Sequence, residues 1–312
     1  MAVAQPRDPG QPMQPGQPAQ PGQSTPDLRE PAGWRRAKDR IATTLMWISF
    51  VVVIIPLGFV LYTVIAKGAS AIGWSFLTSN IPPNVVPLGA GGMGPAIAGT
   101  IEITALAALM AVPLGVLGAV YVNEYGGNTI LARIVRFMAD VMTGVPSIVM
   151  GLFIFSLWVL HFGFSGLAGA FALGCLMLPV VIRSSEEMLK LVPNALREGS
   201  YAVGATKARV VMTVVLPAAI GGIVSGALLA IARAAGETAP LLFTVLTVSA
   251  VNWNVFSGAN TALSAQIFVN ASQPYVGAQG RAWGAALTLI AIAFILMIAA
   301  RVVTARFTRY SR

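Results

Sequence analysis

Residues 41–66 run for 26 positions without a charge, and that one feature leaves few folds open. As a helix the run exceeds the about 20 residues needed to cross a bilayer. In hydrocarbon the backbone must satisfy its own hydrogen bonds, which a helix does within one segment. Further apolar runs follow at 96–122, carrying only Glu102, at 137–160, with Asp140 near its start, and at 167–182, 210–250 and 282–300. A chain that is 56% hydrophobic and 10% charged has too little charge to surface a water-soluble domain of this length. The sequence therefore predicts an all-α integral membrane protein with six transmembrane helices. The run 210–250 is too long for one straight crossing. Pro217, Pro240 and several glycines are placed to kink or break it. The loop 67–95 is rich in Gly, Pro and Asn, and the polar loop 251–282 has room for a short helix around Leu263 to Ala271.

Residues 1–33 are of another kind. Prolines recur at 6, 9, 12, 15, 18 and 21, with Gln and Gly between them. Spacing by three suits extended polyproline II with nothing to bury, so a disordered Pro/Gln-rich cytoplasmic tail is expected ahead of a transmembrane domain over 34–312. The segment is too polar for a cleavable signal. A basic collar, Trp34 to Arg40, precedes the first span. With six spans and a cytoplasmic N-terminus, 17 Lys and Arg fall on the cytoplasmic side, against two outside, Lys67 and Arg281. That bias places both termini in the cytoplasm. The net charge of +9 then reports topology and not nucleic-acid binding. Cys175 lies in an apolar run and reads as packing. His161, the one histidine, has no neighbouring Cys or carboxylate and makes a poor metal site.

The longest cytoplasmic segment between spans is "LVPNALREGSYAVGATKARVVMTVVLP", from Leu191 to Pro217. Pro193 suits a first helical turn. Gly204 suits a left-handed helix stop, with a second helix beyond it. The spacing predicts a helix–turn–helix elbow over 190–209 that projects from the membrane. Glu198, Gly199, Ser200, Gly204, Val214, Leu216 and Pro217 fill the pattern of the EAA loop of ABC importer permeases, which this segment resembles. Gly199 and Ser200 stand where alanines are usual and Val214 where isoleucine is usual, all conservative in size and branching. Gly199 and Gly204 also have the spacing of a phosphate-binding loop, but Ala205 stands where its lysine must be, and "GAGGMG" (89–94) lacks that lysine too. The chain shows no nucleotide site of its own.

Together with "GPAIAGTIEIT" and "VVLPAAIGGIVSGALLAIARAAGETAPLLFT", the elbow is similar to the A-type permeases of phosphate-specific ABC transporters, over roughly residues 45–305. The resemblance implies the type I ABC importer (MetI-like) permease fold in a bacterial plasma (inner) membrane. It implies a transport subunit and not an enzyme, with no cofactor in this chain and with ATP and Mg on a partner. The partners it implies are membrane lipid, a second homologous permease, two ATPase copies that take Glu198, Gly199, Ser200, Gly204, Leu216 and Pro217 into a groove, and an extracellular phosphate-binding protein. An importer for another oxyanion is the nearest alternative. An autonomous ion-coupled carrier or channel is the different-class alternative, although it would leave the elbow idle and no inverted repeat is visible.

Arg233 and Glu237 are the only charges between Arg209 and Arg281, and a charge in hydrocarbon is a functional-site hypothesis by default. Four apart, they share a face if the helix is continuous. Gly236 leaves room for a backbone or ligand to approach. Arg offers a planar fork of donors suited to phosphate. Three roles are open: a switch, in which Glu237 neutralises Arg233 until a passing anion competes; a permanent intrahelical bridge; or an arginine snorkelling at the outer surface. Glu102 is a candidate partner for Arg233, a lining residue of the outer mouth, or packing. Thr100, Thr104 and Thr238 are candidate hydroxyl donors, although such groups in membrane helices more often bond their own backbone. Asp140 is expected to pair with Arg136. Arg183, Glu186 and Glu187 are read as support for the elbow.

Overall fold

Small residues decide how the central helices meet. Ala107 and Ala111 on one helix face Ala170, Leu173 and Met177 on another, all buried. Small side chains let membrane helices approach closely, where dispersion between them replaces a hydrophobic drive that lipid does not supply. The computed structural model describes residues 33–310. Among these the chain forms helices and no strand. They are α1 (Gly33–Gly68), α2 (Trp74–Thr78), α3 (Gly94–Val120), α4 (Ile130–Gly144), α5 (Ser147–Ile154), α6 (Leu160–Phe162), α7 (Gly166–Lys190), α8 (Asn194–Ala202), α9 (Lys207–Val210), α10 (Leu216–Ala235), α11 (Ala239–Thr244), α12 (Leu263–Ala271) and α13 (Val276–Tyr310). Wide π-helical turns extend α3 over Tyr121–Tyr125, join α5 to α6 over Phe155–Val159, and join α9 to α10 over Val211–Val215. The predicted tail lies outside the described residues. The chain divides into two units at Leu57 and Gly58. The described part of the first is the N-terminal part of α1, and the second contains the packed helices discussed below.

Among the described residues five helices are long and apolar enough to cross a membrane: 37–68, 94–125, 166–190, 207–235 and 276–302. The segments 130–144 and 147–162 pass the same test only together and are bent by 106°, which makes them one broken span or a re-entrant loop. A straight third span over 137–160 is therefore corrected. Pro146 disfavours helical backbone at the residue before it, and Val145 is extended, with φ −71° and ψ 126°. The run 210–250 divides, as expected, but not at Pro217. The stretch up to Ala235 stays helical through Pro217, whose missing N–H follows the wide turn over Val211–Val215. The break comes at Gly236 to Thr238, ahead of α11 with Pro240 in its first turn.

Local chemistry sets several ends. Thr129 caps α4 by accepting from the Ala132 N–H at 3.3 Å, and Ser165 caps α7 by accepting from Ala168 N–H at 3.1 Å. Gly151 brings α5 against α11: a Cβ there would lie 2.6 Å from Pro240 Cα. The only room for α5 at that crossing is the space that glycine leaves.

Candidate functional site: the Arg233 cavity and the elbow

Arg233 occupies the last turn of α10, where the negative end of the helix dipole favours a cation. The helix ends at Ala235, so Glu237 lies past it and the two do not share one continuous helix face. The Gly236 and Glu237 N–H groups donate to Arg233 O and Ala234 O, both at 3.1 Å, closing the turn. The ion pair is open: Arg233 Nε stands 3.9 Å from Glu237 Oε1, with the arginine side chain 73% exposed and the glutamate 24%. Both line a cavity of about 280 Å³ with Thr143, Val145, Pro146, Ser147, Leu176 and Val180. The cavity sits at the bend between α4 and α5. There α5 begins without a side-chain cap, and the first N–H groups of a helix have no partner within it. Leu176 and Val180 bracket the midpoint of α7. Across the cavity Arg233 thus faces the middle stretch of α7.

The other expected pathway residues fall in different places. The Thr100 hydroxyl is buried and fully engaged: it donates to Ala96 O at 2.7 Å and accepts from Leu263 N–H at 2.8 Å. It tethers the start of α12, and its donor is spent on the Ala96 carbonyl. Thr104 is buried as well. Thr238 is half-buried beside Glu237, and its carbonyl accepts from the Leu241 and Leu242 N–H groups. Glu102 forms no ion pair with Arg233. It is half-buried on α3 outside the cavity lining, and its Oε2 is buried without a hydrogen bond. Ser264 on α12 donates to Glu237 O at 2.9 Å and fixes the backbone just past the break.

At the elbow end of α7 the expected Arg136–Asp140 pair is corrected. Asp140 pairs with Arg183. Arg136 Nε instead reaches Glu186 Oε1 at 2.8 Å, with Lys190 Nζ at 2.7 Å from the same oxygen. Glu186 is 1% exposed, and a buried carboxylate needs compensating charge, which draws the arginine across.

The elbow is built by α8, a turn and α9. Gly204 has φ +83°, the left-handed conformation that glycine adopts without strain, and its N–H donates to Tyr201 O at 2.9 Å. Glu198 and Gly199 are exposed, Ser200 is half-buried, and α8 buries none of its residues. Leu196 and Val203 are exposed beside them. Val214 and Leu216 pack against the cluster of Ala119, Leu189, Val192, Val210 and Val215, while Pro217 is exposed. Sequence reasoning missed three groups. Arg197 pairs with Glu124, 73 positions away, and Arg136 with Glu186, 50 positions away. Arg281 is 1% exposed and donates to the carbonyls of Val86, Pro87, Pro83 and Asn84. No local pattern in the sequence signals any of them.

Residues 111–309 match the family described as the binding-protein-dependent transport system inner membrane component. The phosphate transport system permease protein PstA 1 of Mycobacterium tuberculosis (strain ATCC 25618 / H37Rv) is 45% identical over 281 residues, 89% of this chain and 91% of that protein. PstA of Yersinia pestis is 39% identical over 280 residues, 89% and 94% of the two chains. Among solved structures, inward-facing MetNI methionine ABC transporter superposes with a TM-score of 0.53 at 20% identity, over 68% of this chain and 93% of that one. The bacterial alginate ABC transporter, in complex with an alginate-pentasaccharide-bound periplasmic protein, gives 0.58 at 15% identity over 88% and 98%. At those identities the structures speak for the fold alone, the all-helical ABC importer permease. The chain is a multi-pass membrane protein that belongs to the family of binding-protein-dependent transport system inner membrane components, in the group of the PstA permeases.

Proposed function

We propose that this chain is one permease half of an ATP-driven importer of inorganic phosphate. It forms part of the translocation pathway and couples it to a separate ATPase. The observation that carries the substrate is the exposed Arg233 guanidinium, half-paired with Glu237 at 3.9 Å, in a cavity walled by α7 and the bend between α4 and α5. A guanidinium that stays charged and offers a planar fork suits a tetrahedral oxyanion. The uncapped start of α5 adds unpaired backbone donors of the same sign at the bend. An open ion pair also suits passage. Glu237 holds the cation while the site is empty, the anion competes for it, and the carboxylate competes in turn as the anion leaves. Binding has to be weak enough to let the ion go.

The assembly we propose contains a second homologous permease, two ATPase copies seated on the elbows, and an extracellular phosphate-binding protein. ATP and Mg are held by the ATPase, and both termini of this chain are cytoplasmic. The exposed tip of α8, with Glu198, Leu196 and Val203, supports a docking role for the elbow. Alternating access then comes from rocking of the two permeases. The test is uptake of radiolabelled phosphate into proteoliposomes holding the complex and its binding protein, with ATP supplied on the elbow side. We expect uptake that requires ATP and is competed poorly by sulfate. Uptake without ATP, or sulfate competing as well as phosphate, would overturn the reading.

A further inference from the structure

We propose that Arg197 and Glu124 form the latch through which movement of the elbow reaches the membrane-spanning helices, which makes Arg197 a positioning residue for ATP-driven transport. The inference rests on the elbow being the ATPase-docking element. One guanidinium joins three helix ends. Nη2 donates to Glu124 Oε1 and to Leu189 O, both at 2.9 Å. Nη1 donates to Val192 O and to Asn194 Oδ1. Glu124 lies in the wide turn that ends α3, Leu189 is in the last turn of α7, Val192 lies in the link after it, and Asn194 opens α8.

Burial makes this pair unlike a surface salt bridge. The Arg197 side chain is 14% exposed and that of Glu124 6%. The Glu124 oxygen is held from its other side by Asn123 Nδ2 at 2.7 Å. A pair sheltered in this way is screened little by salt. Its geometry also requires arginine, because a lysine ammonium is a point charge that cannot span the same acceptors.

The position matters as much as the strength. Arg197 precedes the exposed Glu198, so whatever moves α8 moves Arg197. Because α8 buries none of its own residues, packing alone holds it weakly, and the guanidinium is its polar tie to the rest of the fold. The helix it grips, α7, carries Leu176 and Val180 into the wall of the Arg233 cavity. A shift of the elbow is thereby handed to the helix that shapes the site.

The experiment uses the assembled complex in proteoliposomes and reads access to the cavity, not uptake. Thr143→Cys in a Cys175→Ser background places one thiol on the cavity wall. Its labelling rate by a water-soluble maleimide is measured with and without ATP trapped by vanadate. We expect trapping to change the rate in the parent. In Glu124→Gln and Arg197→Lys that ATP-dependent ratio should fall by about threefold or more, within the range of coupling seen for buried contacts, while ATP hydrolysis continues. The double variant Glu124→Gln/Arg197→Ala should be no worse than Arg197→Ala alone, because both remove one contact. If Arg197→Ala does not assemble, Glu124→Gln and Arg197→Lys decide. A parent-like ratio in those two, with the ATPase bound, overturns the latch, as do effects that multiply. Phosphate uptake by the unsubstituted complex is scored separately, so its failure bears on the proposed substrate and leaves the labelling result standing.

Discussion

Glu186 and Asp140 pair with cations at the same end of the molecule, and burial separates their expected worth. Glu186 is 1% exposed and faces Arg136 Nε at 2.8 Å, Lys190 Nζ at 2.7 Å and Arg183 Nη1 at 3.6 Å. Glu186→Gln keeps the shape and removes the charge that three cations share. Removing one partner of a fully buried pair costs about 3–5 kcal/mol. Here the Arg136 and Lys190 side chains are 30% and 54% exposed, so water recovers part of that, and about 2–3 kcal/mol is expected. Asp140 is 55% exposed and Arg183 35%, so Asp140→Asn should cost about 0–1 kcal/mol. The assay is reversible unfolding of the purified permease in mixed micelles, titrated with a denaturing detergent and followed by tryptophan fluorescence. A loss for Glu186→Gln no larger than that for Asp140→Asn would refute the reasoning, since burial would then not govern these pairs.

Two further outcomes follow from particular atoms. A Cβ at Gly204 would meet nothing within 4 Å, so the penalty of Gly204→Val comes chiefly from the left-handed backbone, about 1–2 kcal/mol. The turn should open, and less ATPase should co-purify with the permease; unchanged co-purification would separate the turn from docking. Thr100→Val removes the acceptor for Leu263 N–H, and the variant should lose about 1–3 kcal/mol of stability while its half-saturating phosphate concentration stays the same. A large rise in that concentration would put Thr100 in the pathway.

What the sequence made legible followed from signals that are local in it. Uncharged runs mark the spans, since a buried charge is costly in lipid and nearly every one is excluded. Gly204 announces its own backbone conformation. Arg233 and Glu237 stand out against an uncharged background and meet at one cavity. The bend at Pro146 was equally local, but a hydropathy reading over 137–160 averages across it, and only the restriction on Val145 exposes it. The rest depends on which helices become neighbours. The tie of Thr100 to Leu263 crosses 163 positions and that of Arg281 to Val86 crosses 195. Arg136 had a carboxylate one turn away in Asp140, yet it turned to Glu186 because a buried charge demands a partner more strongly than an exposed one.

The most direct test of the account is uptake of radiolabelled phosphate by the whole complex in proteoliposomes, comparing the unsubstituted chain with Arg233→Lys at matched assembly. Lysine keeps the charge and the helix end but loses the planar fork. The account predicts that uptake collapses while ATP hydrolysis persists. Equal uptake in the two would contradict it, making the open Arg233–Glu237 pair a structural bridge or an interfacial anchor.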